Sequence, residues 1–185
     1  PEEADDELLE LVHDPEHVRR VDRAATSGAR LLDAMDTTIC PESARVARLA
    51  AGSLVALCRR TARGELSGGF AAVRPPGHHA ERDLAMGFCL FNNAALAARY
   101  LREHEGIARV LIVDWDLEAP GLHRYFHPFL EDKELINTEG LLDMLTLLAA
   151  KAATASEQDN IEEQVDIINY IEPLEWPRNT KEGVG

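Results

Sequence analysis

Two adjacent histidines, His78 and His79, follow a Pro75-Pro76-Gly77 turn, and two carboxylates, Asp114 and Asp116, stand at the end of the apolar run VLIVDWD. A pair of imidazoles offers a proton acceptor and a proton donor near neutral pH, and carboxylates orient an imidazole or bind a divalent metal. Amide hydrolysis needs these parts: the carbonyl is polarised, a water gives up a proton and the leaving amine receives one. A plainer reading stands beside it. Adjacent histidines at a turn are often only solvated, Asp114 could be a strand-end cap, Phe88 a core residue and Cys89 an inert buried thiol.

The elements that must position these groups can be read from the pattern of apolar residues. Asp14-Pro15 supplies an N-cap and a first-turn proline, and EHVRRVDRAATSGARLL after it has helical spacing. Residues 37–41 read as a loop. A longer helix opens at Pro41-Glu42-Ser43 and closes at Gly64 after basic residues in its last turn. Gly69 to Arg74 is a short apolar run bounded by glycines and prolines, which predicts a buried strand delivering the histidines at its end. Asn92 to His104 predicts a helix, and Arg109 to Trp115 a strand covered on both faces. Strand, helix, strand implies a parallel α/β sheet, whose ligands gather at the carboxyl ends of the strands. Further on, residues 120–129 read as a loop or short helix, 138–152 as an amphipathic helix, 151–164 as a polar linker and 165–171 as another strand. His13, His17 and His104 match no motif and are expected on the surface or on helix faces.

With 185 residues and 45% hydrophobic content, the chain can bury a substantial core. Its 33 acidic against 19 basic residues give a net charge of −14, which disfavours nucleic acid and anionic membrane surfaces as partners. The cysteines Cys40, Cys58 and Cys89 are odd in number and lack paired metal spacing, and no run of 18 apolar residues occurs, so a cytoplasmic protein is expected. Pro1 in place of Met predicts a processed chain or a piece of a longer one.

The strings RPPGHHA, MGFCLFNN and LIVDWD, in that order, resemble the active site of the histone deacetylase family over residues 7–116. The resemblance implies an α/β, parallel-sheet, arginase/deacetylase-like three-layer fold, here truncated. It also implies hydrolysis of an acyl-amide, with an acylated small molecule such as an acetylpolyamine, or a protein acetyl-lysine, as substrate. His78 and His79 would be the general base and acid. Asp114 would orient one of them beside a structural monovalent cation, and Asp116 would be a zinc ligand. Gly87 and Phe88 would line the acyl channel, with Cys89 near its floor.

After Asp116 the pattern breaks. Where that family places a zinc-binding histidine, this chain has Glu118. A carboxylate can ligate zinc, and in an extended segment residues 116 and 118 share a face, so Asp116 with Glu118 is a conceivable but weaker and more anionic site. The family's third ligand and its carbonyl-binding tyrosine have no counterpart set by a motif, although Tyr125 and Asp132 lie nearby in sequence. The metal set is therefore expected to be incomplete and the activity impaired.

A second resemblance begins within the same strand. VLIVDWDLEAPGLHRYF, with GLLDML and VDIINYIEPLEW, looks like a segment of ParA/MinD-like P-loop ATPases over residues 110–175. No phosphate-binding glycine loop precedes it in residues 68–100. The division expected is thus a deacetylase-like portion, 1–116, and an ATPase-like segment, 117–185, as a chimera. The rival to an impaired deacetylase is a non-catalytic chimeric or degraded fragment, and behind it a nucleotide-binding ATPase fragment. The oligomeric state is not legible in the sequence.

Overall fold

The computed structural model describes residues 1–116, 118–130 and 141–154. Contacts divide the chain into two compact units, residues 1–125 and 126–185. The first carries all the groups considered above, apart from Asp132, which lies outside the described residues.

The first unit begins with a one-turn helix, α1 (Asp6–Leu9), whose first turn is capped by Asp5 accepting the Leu8 amide. Helix α2 (Pro15–Thr26) starts as its sequence predicts, with Asp14 accepting the Glu16 amide and proline in the first turn. It buries His17, Val18, Val21 and Ala25 along one face and stops at Ser27, earlier than the apolar spacing suggests, because Gly28 turns the chain with φ +78°.

A hairpin follows, with β1 (Leu31–Leu32) antiparallel to β2 (Ala34–Thr38) around Asp33. This corrects the loop expected at 37–41, since Thr37 and Thr38 belong to β2. The strand was hidden because it is short and its residues do not alternate clearly.

Helix α3 (Ser43–Ala62) buries Ala44, Ala47, Ala50, Ala51, Gly52 and Val55 on one face. Small side chains at helical spacing let the long helix approach α4 (Asn93–His104) closely, and α4 answers with Ala95, Leu96, Ala97 and Ala98. This is the main helix–helix contact of the unit. Arg48 of α3 ties in the N-terminus, reaching the Ala4 carbonyl, Asp6 and Asp22.

The two buried parallel strands are not present. Residues 69–74 and 107–116 run without ladder hydrogen bonds, and the β1–β2 hairpin is the sheet of the described residues. Phe70 is 91% exposed, and Leu111 and Trp115 are 57% and 64% exposed, the reverse of a strand covered on both faces. β-branched residues specify a segment that fits within a sheet. A ladder also needs neighbours that these segments do not give each other.

Helix α5 (Leu122–Phe126) lies at the end of the first unit; the second holds a 3-10 turn at His127–Phe129 and α6 (Leu141–Thr154), which realises the helix expected at 138–152. The predicted linker from 155 and the strand at 165–171 lie outside the described residues. No helix among the described residues is long and apolar enough to cross a membrane.

Candidate functional site

Both histidines sit in the loop between α3 and α4, and the start of α4 anchors that loop. Asn92 is 0% exposed. Its Oδ1 caps α4 by accepting the Ala95 amide, and its Nδ2 donates to the carbonyl of Ala80, the residue after His79. Asn93 Nδ2 donates to the carbonyls of Pro75 and Pro76, just before Gly77-His78. Two side-chain amides thus hold the loop on either side of the histidines. Buried polar groups fully paired in this way fix a single geometry.

A second layer lies beneath. His13 accepts the Asn92 amide on Nε2 at 2.9 Å, so its proton is on Nδ1, which donates to the Arg82 carbonyl. His17 donates from Nε2 to the Leu90 carbonyl at 2.8 Å and accepts from Arg20 on Nδ1. Both rings pack against Phe91. Of the expectation that His13 and His17 lie on the surface or on helix faces, the surface part is corrected: His17 sits on the buried face of α2, His13 just before it, each ring nitrogen has a partner inside the fold, and the residues are 2% and 0% exposed. Burial, reinforced by His17, lowers His13 to about 3, and burial also lowers His17. His104 is exposed and stacks on Tyr100.

The expected site residues converge, with one exception. His78 Nδ1 lies 3.1 Å from Asp114 Oδ1, while Asp114 Oδ2 accepts the amides of Gly121 at 2.8 Å and Leu122 at 3.1 Å. Partial burial pushes the Asp114 carboxyl up, but the Leu122 and Gly121 amides and His78 outweigh it and hold the group below the usual carboxylate range. An ionised Asp114 makes Nδ1 of His78 the donor and leaves Nε2 facing Asp116, whose Oδ2 is 3.8 Å away. The His78 and His79 rings are 4.0 Å apart between centroids. Burial and the neighbouring His78 lower His79.

Two glycines make room for His79. A Cβ on Gly87, whose φ is +57°, would lie 2.5 Å from His79 ring carbons, and a Cβ on Gly121 would lie 2.7 Å from His79 Nδ1. Gly121, Asn92, Asn93 and His13 were missed in the sequence. Paired asparagines immediately after the apolar string GFCLF were the available signal, because amides placed there must be buried and bonded.

Phe88 adopts φ +63° and is 59% exposed, a strained backbone of the kind that concentrates at functional sites. It borders a cavity of about 210 Å³ lined by Thr38, Cys40, Glu42, Ser43, Val46, Pro75, Phe88 and Leu90. Cys89 is buried, accepts the Gly77 amide and donates to the Gly87 carbonyl, and burial pushes its thiol up. It acts as a brace for the loop. The Gly87 amide donates to Asp36 of β2 at 3.3 Å, so the hairpin also supports this segment.

Glu118 is the exception. It is exposed, Asp116 Oδ1 accepts the Ala119 amide, and Glu118 is not among the residues whose ligand atoms gather with those of Asp116. Tyr125 is buried and donates its hydroxyl to the Val12 carbonyl, which leaves it no carbonyl-binding role. Among the described residues, His78, His79 and Asp116 bring ligand atoms within 4.8 Å of one another. The zinc set implied by Asp116 with residue 118 does not fit this geometry.

The histone deacetylase domain profile matches residues 1–120. Histone deacetylase 5 of Arabidopsis thaliana is 47% identical over 123 residues, covering 62% of this chain and 19% of that protein. Polyamine deacetylase HDAC10 of Mus musculus is 42% identical over 157 residues, covering 71% of this chain and 24% of that protein. Among solved structures, that of the HDA15 HD domain is similar at a TM-score of 0.63 and 43% identity, over 68% of this chain and 35% of that one. The chain thus spans about a fifth to a quarter of the length of these curated relatives.

Proposed function

This chain belongs to the histone deacetylase family and carries its deacetylase-like α/β fold, and on that premise we propose that its His78–His79 site hydrolyses acyl-amides at a reduced rate. The observation that carries the reading is the Asp114–His78 hydrogen bond, which fixes the tautomer of His78 and leaves Nε2, 3.8 Å from Asp116 Oδ2, as the proton acceptor. In this reading His78 takes a proton from the attacking water, and Asp114 stabilises the imidazolium that forms. His79, whose ring centroid lies 4.0 Å from that of His78, hydrogen-bonds the amide, and the proton that His78 took from the water is the one delivered to the leaving amine, so both imidazoles end as they began. Gly87 and Phe88 border the approach to the rings.

Zinc is the metal this family implies, and when bound it polarises the carbonyl and acidifies water. Glu118 is exposed and does not join Asp116, so the family's zinc set is incomplete here and a slow reaction is expected. The substrate class follows the relatives: an acetylated polyamine or a protein acetyl-lysine. A non-catalytic fragment, chimeric at residues 110–118, is the rival that the exposure of Glu118 favours. The ATPase-like reading of 110–175 has no phosphate loop to support it.

The test is acetate release from an acetyl-lysine peptide and from an N-acetylated polyamine. Turnover of at least one substrate above the rate with heat-denatured protein is expected. Absence of turnover on both by the folded protein would select the non-catalytic alternative.

A further inference from the structure

We propose that the histidine pair of this chain is itself a metal site, with His78, His79 and Asp116 as the ligands of one divalent transition metal. Such an ion would occupy the groups that otherwise move protons. This differs from the arrangement that the family resemblance implies, in which the histidines stay off the metal and residue 118 binds it.

Three independent features point the same way. The ligand atoms of the three side chains already lie within 4.8 Å of one another, and His78 Nε2 to Asp116 Oδ2 is 3.8 Å. A tetrahedral zinc, with bonds of about 2.0–2.2 Å, would hold its ligand atoms roughly 3.3–3.5 Å apart, so small side-chain rotations close the set. Each of the three also keeps a ligand atom available. His78 Nδ1 is engaged by Asp114, the carboxylate–histidine pairing that orients metal-binding imidazoles elsewhere. Asp116 Oδ1 is engaged by the Ala119 amide, leaving Oδ2. His79 is pinched between Gly87 and Gly121, and among the described residues no hydrogen-bond acceptor holds its ring. Finally, Glu118 is exposed and brings no ligand atom to Asp116 among the described residues, so the competing set is not assembled.

Two imidazoles and one carboxylate with open positions suit zinc, cobalt, nickel or ferrous iron. The metal would take the lone pair of His78 Nε2 while Nδ1 keeps its proton toward Asp114. The site does not depend on the deacetylase reading. Its consequence does: an ion on the pair removes the proton acceptor, so added zinc would slow hydrolysis.

Co2+ is the probe, followed by its visible absorption in a titration of the metal-free chain. One Co2+ per chain is expected, with nitrogen and oxygen ligation. Binding should be lost in His78→Ala, His79→Ala and Asp116→Asn, weakened about 10–100-fold in Asp114→Asn, and unchanged in Glu118→Ala. His79→Gln, which keeps bulk without an imidazole, and thermal melts of every variant separate lost ligation from lost folding. Wild-type chain that binds no Co2+, a His79→Gln variant that binds it as wild type does, or loss of binding in Glu118→Ala would each overturn the proposal. Zinc that accelerates acetate release would overturn its inhibitory consequence. A chain that binds Co2+ as described yet hydrolyses nothing would sink the deacetylase reading alone.

Discussion

His78 Nδ1 and Asp114 Oδ1 meet at 3.1 Å, and the other oxygen of the same carboxylate accepts two backbone amides, Gly121 and Leu122, from beyond the point where the family pattern breaks. One carboxylate therefore joins the histidine loop to the segment that follows Asp116. The residues after the break are structural members of the site even though they depart from its motif.

Asp114→Asn tests that joint. An amide can still accept from His78, but its NH2 group would oppose one of the two backbone donors or the ring itself. Acetate release should fall about 10–100-fold, as for second-layer partners of functional histidines, with the helical circular dichroism kept. Unchanged activity would remove Asp114 from the account.

Gly87 and Gly121 should resist any side chain. A Cβ on Gly87 meets His79 and also sits on a backbone with φ +57°, and one on Gly121 meets His79 Nδ1 and the His78 carbonyl. Each Gly→Ala change is expected to cost about 1–3 kcal/mol in urea denaturation and to lower activity beyond the loss of folded protein. Wild-type stability in both variants would show that His79 is not pinched as described.

Asn92→Ala removes a helix cap and the bond to the Ala80 carbonyl. Loss of the cap costs about 1 kcal/mol, and a stranded buried carbonyl adds about 1–3 kcal/mol. A midpoint shift in urea measures the total. A cost within a few tenths of a kcal/mol would mean that the loop is held elsewhere.

The buried histidines set a pH dependence of stability. His13, lowered to about 3 from 6.5, is neutral when folded and binds a proton when unfolded throughout the interval between. The unfolded chain then binds more protons, so stability is full above pH 6.5 and declines as pH falls toward 3. His17 adds in the same direction. Each fully engaged group contributes a slope of up to about 1.4 kcal/mol per pH unit. Urea midpoints between pH 7.5 and 4.5 should fall, and His13→Phe should flatten the slope. An unchanged slope in that variant would place the acid sensitivity elsewhere.

Much of the site was legible because its residues are adjacent in sequence and chemically distinctive. His78-His79 after a proline turn, the carboxylates Asp114 and Asp116, the capped helices α2 and α4 and the long helix α3 all carry local signals. Three features were not legible, each for a physical reason. The β1–β2 hairpin is short and only partly buried. The strands expected at 69–74 and 109–115 have the composition of sheet residues, whereas a ladder depends on partners distant in sequence. The burial of His13 and His17, expected on the surface or on helix faces, was not legible because it depends on the Asn92 amide and the Arg82 and Leu90 carbonyls, more than sixty residues away.

The most direct measurement is single-turnover acetate release by wild type and His78→Ala at equal concentrations of folded, metal-free protein. The account predicts a loss of about 100-fold or more in the variant, the scale of a positioned general base. Equal rates in the two proteins would show that any hydrolysis comes from elsewhere in the chain and would contradict the assignment of the site.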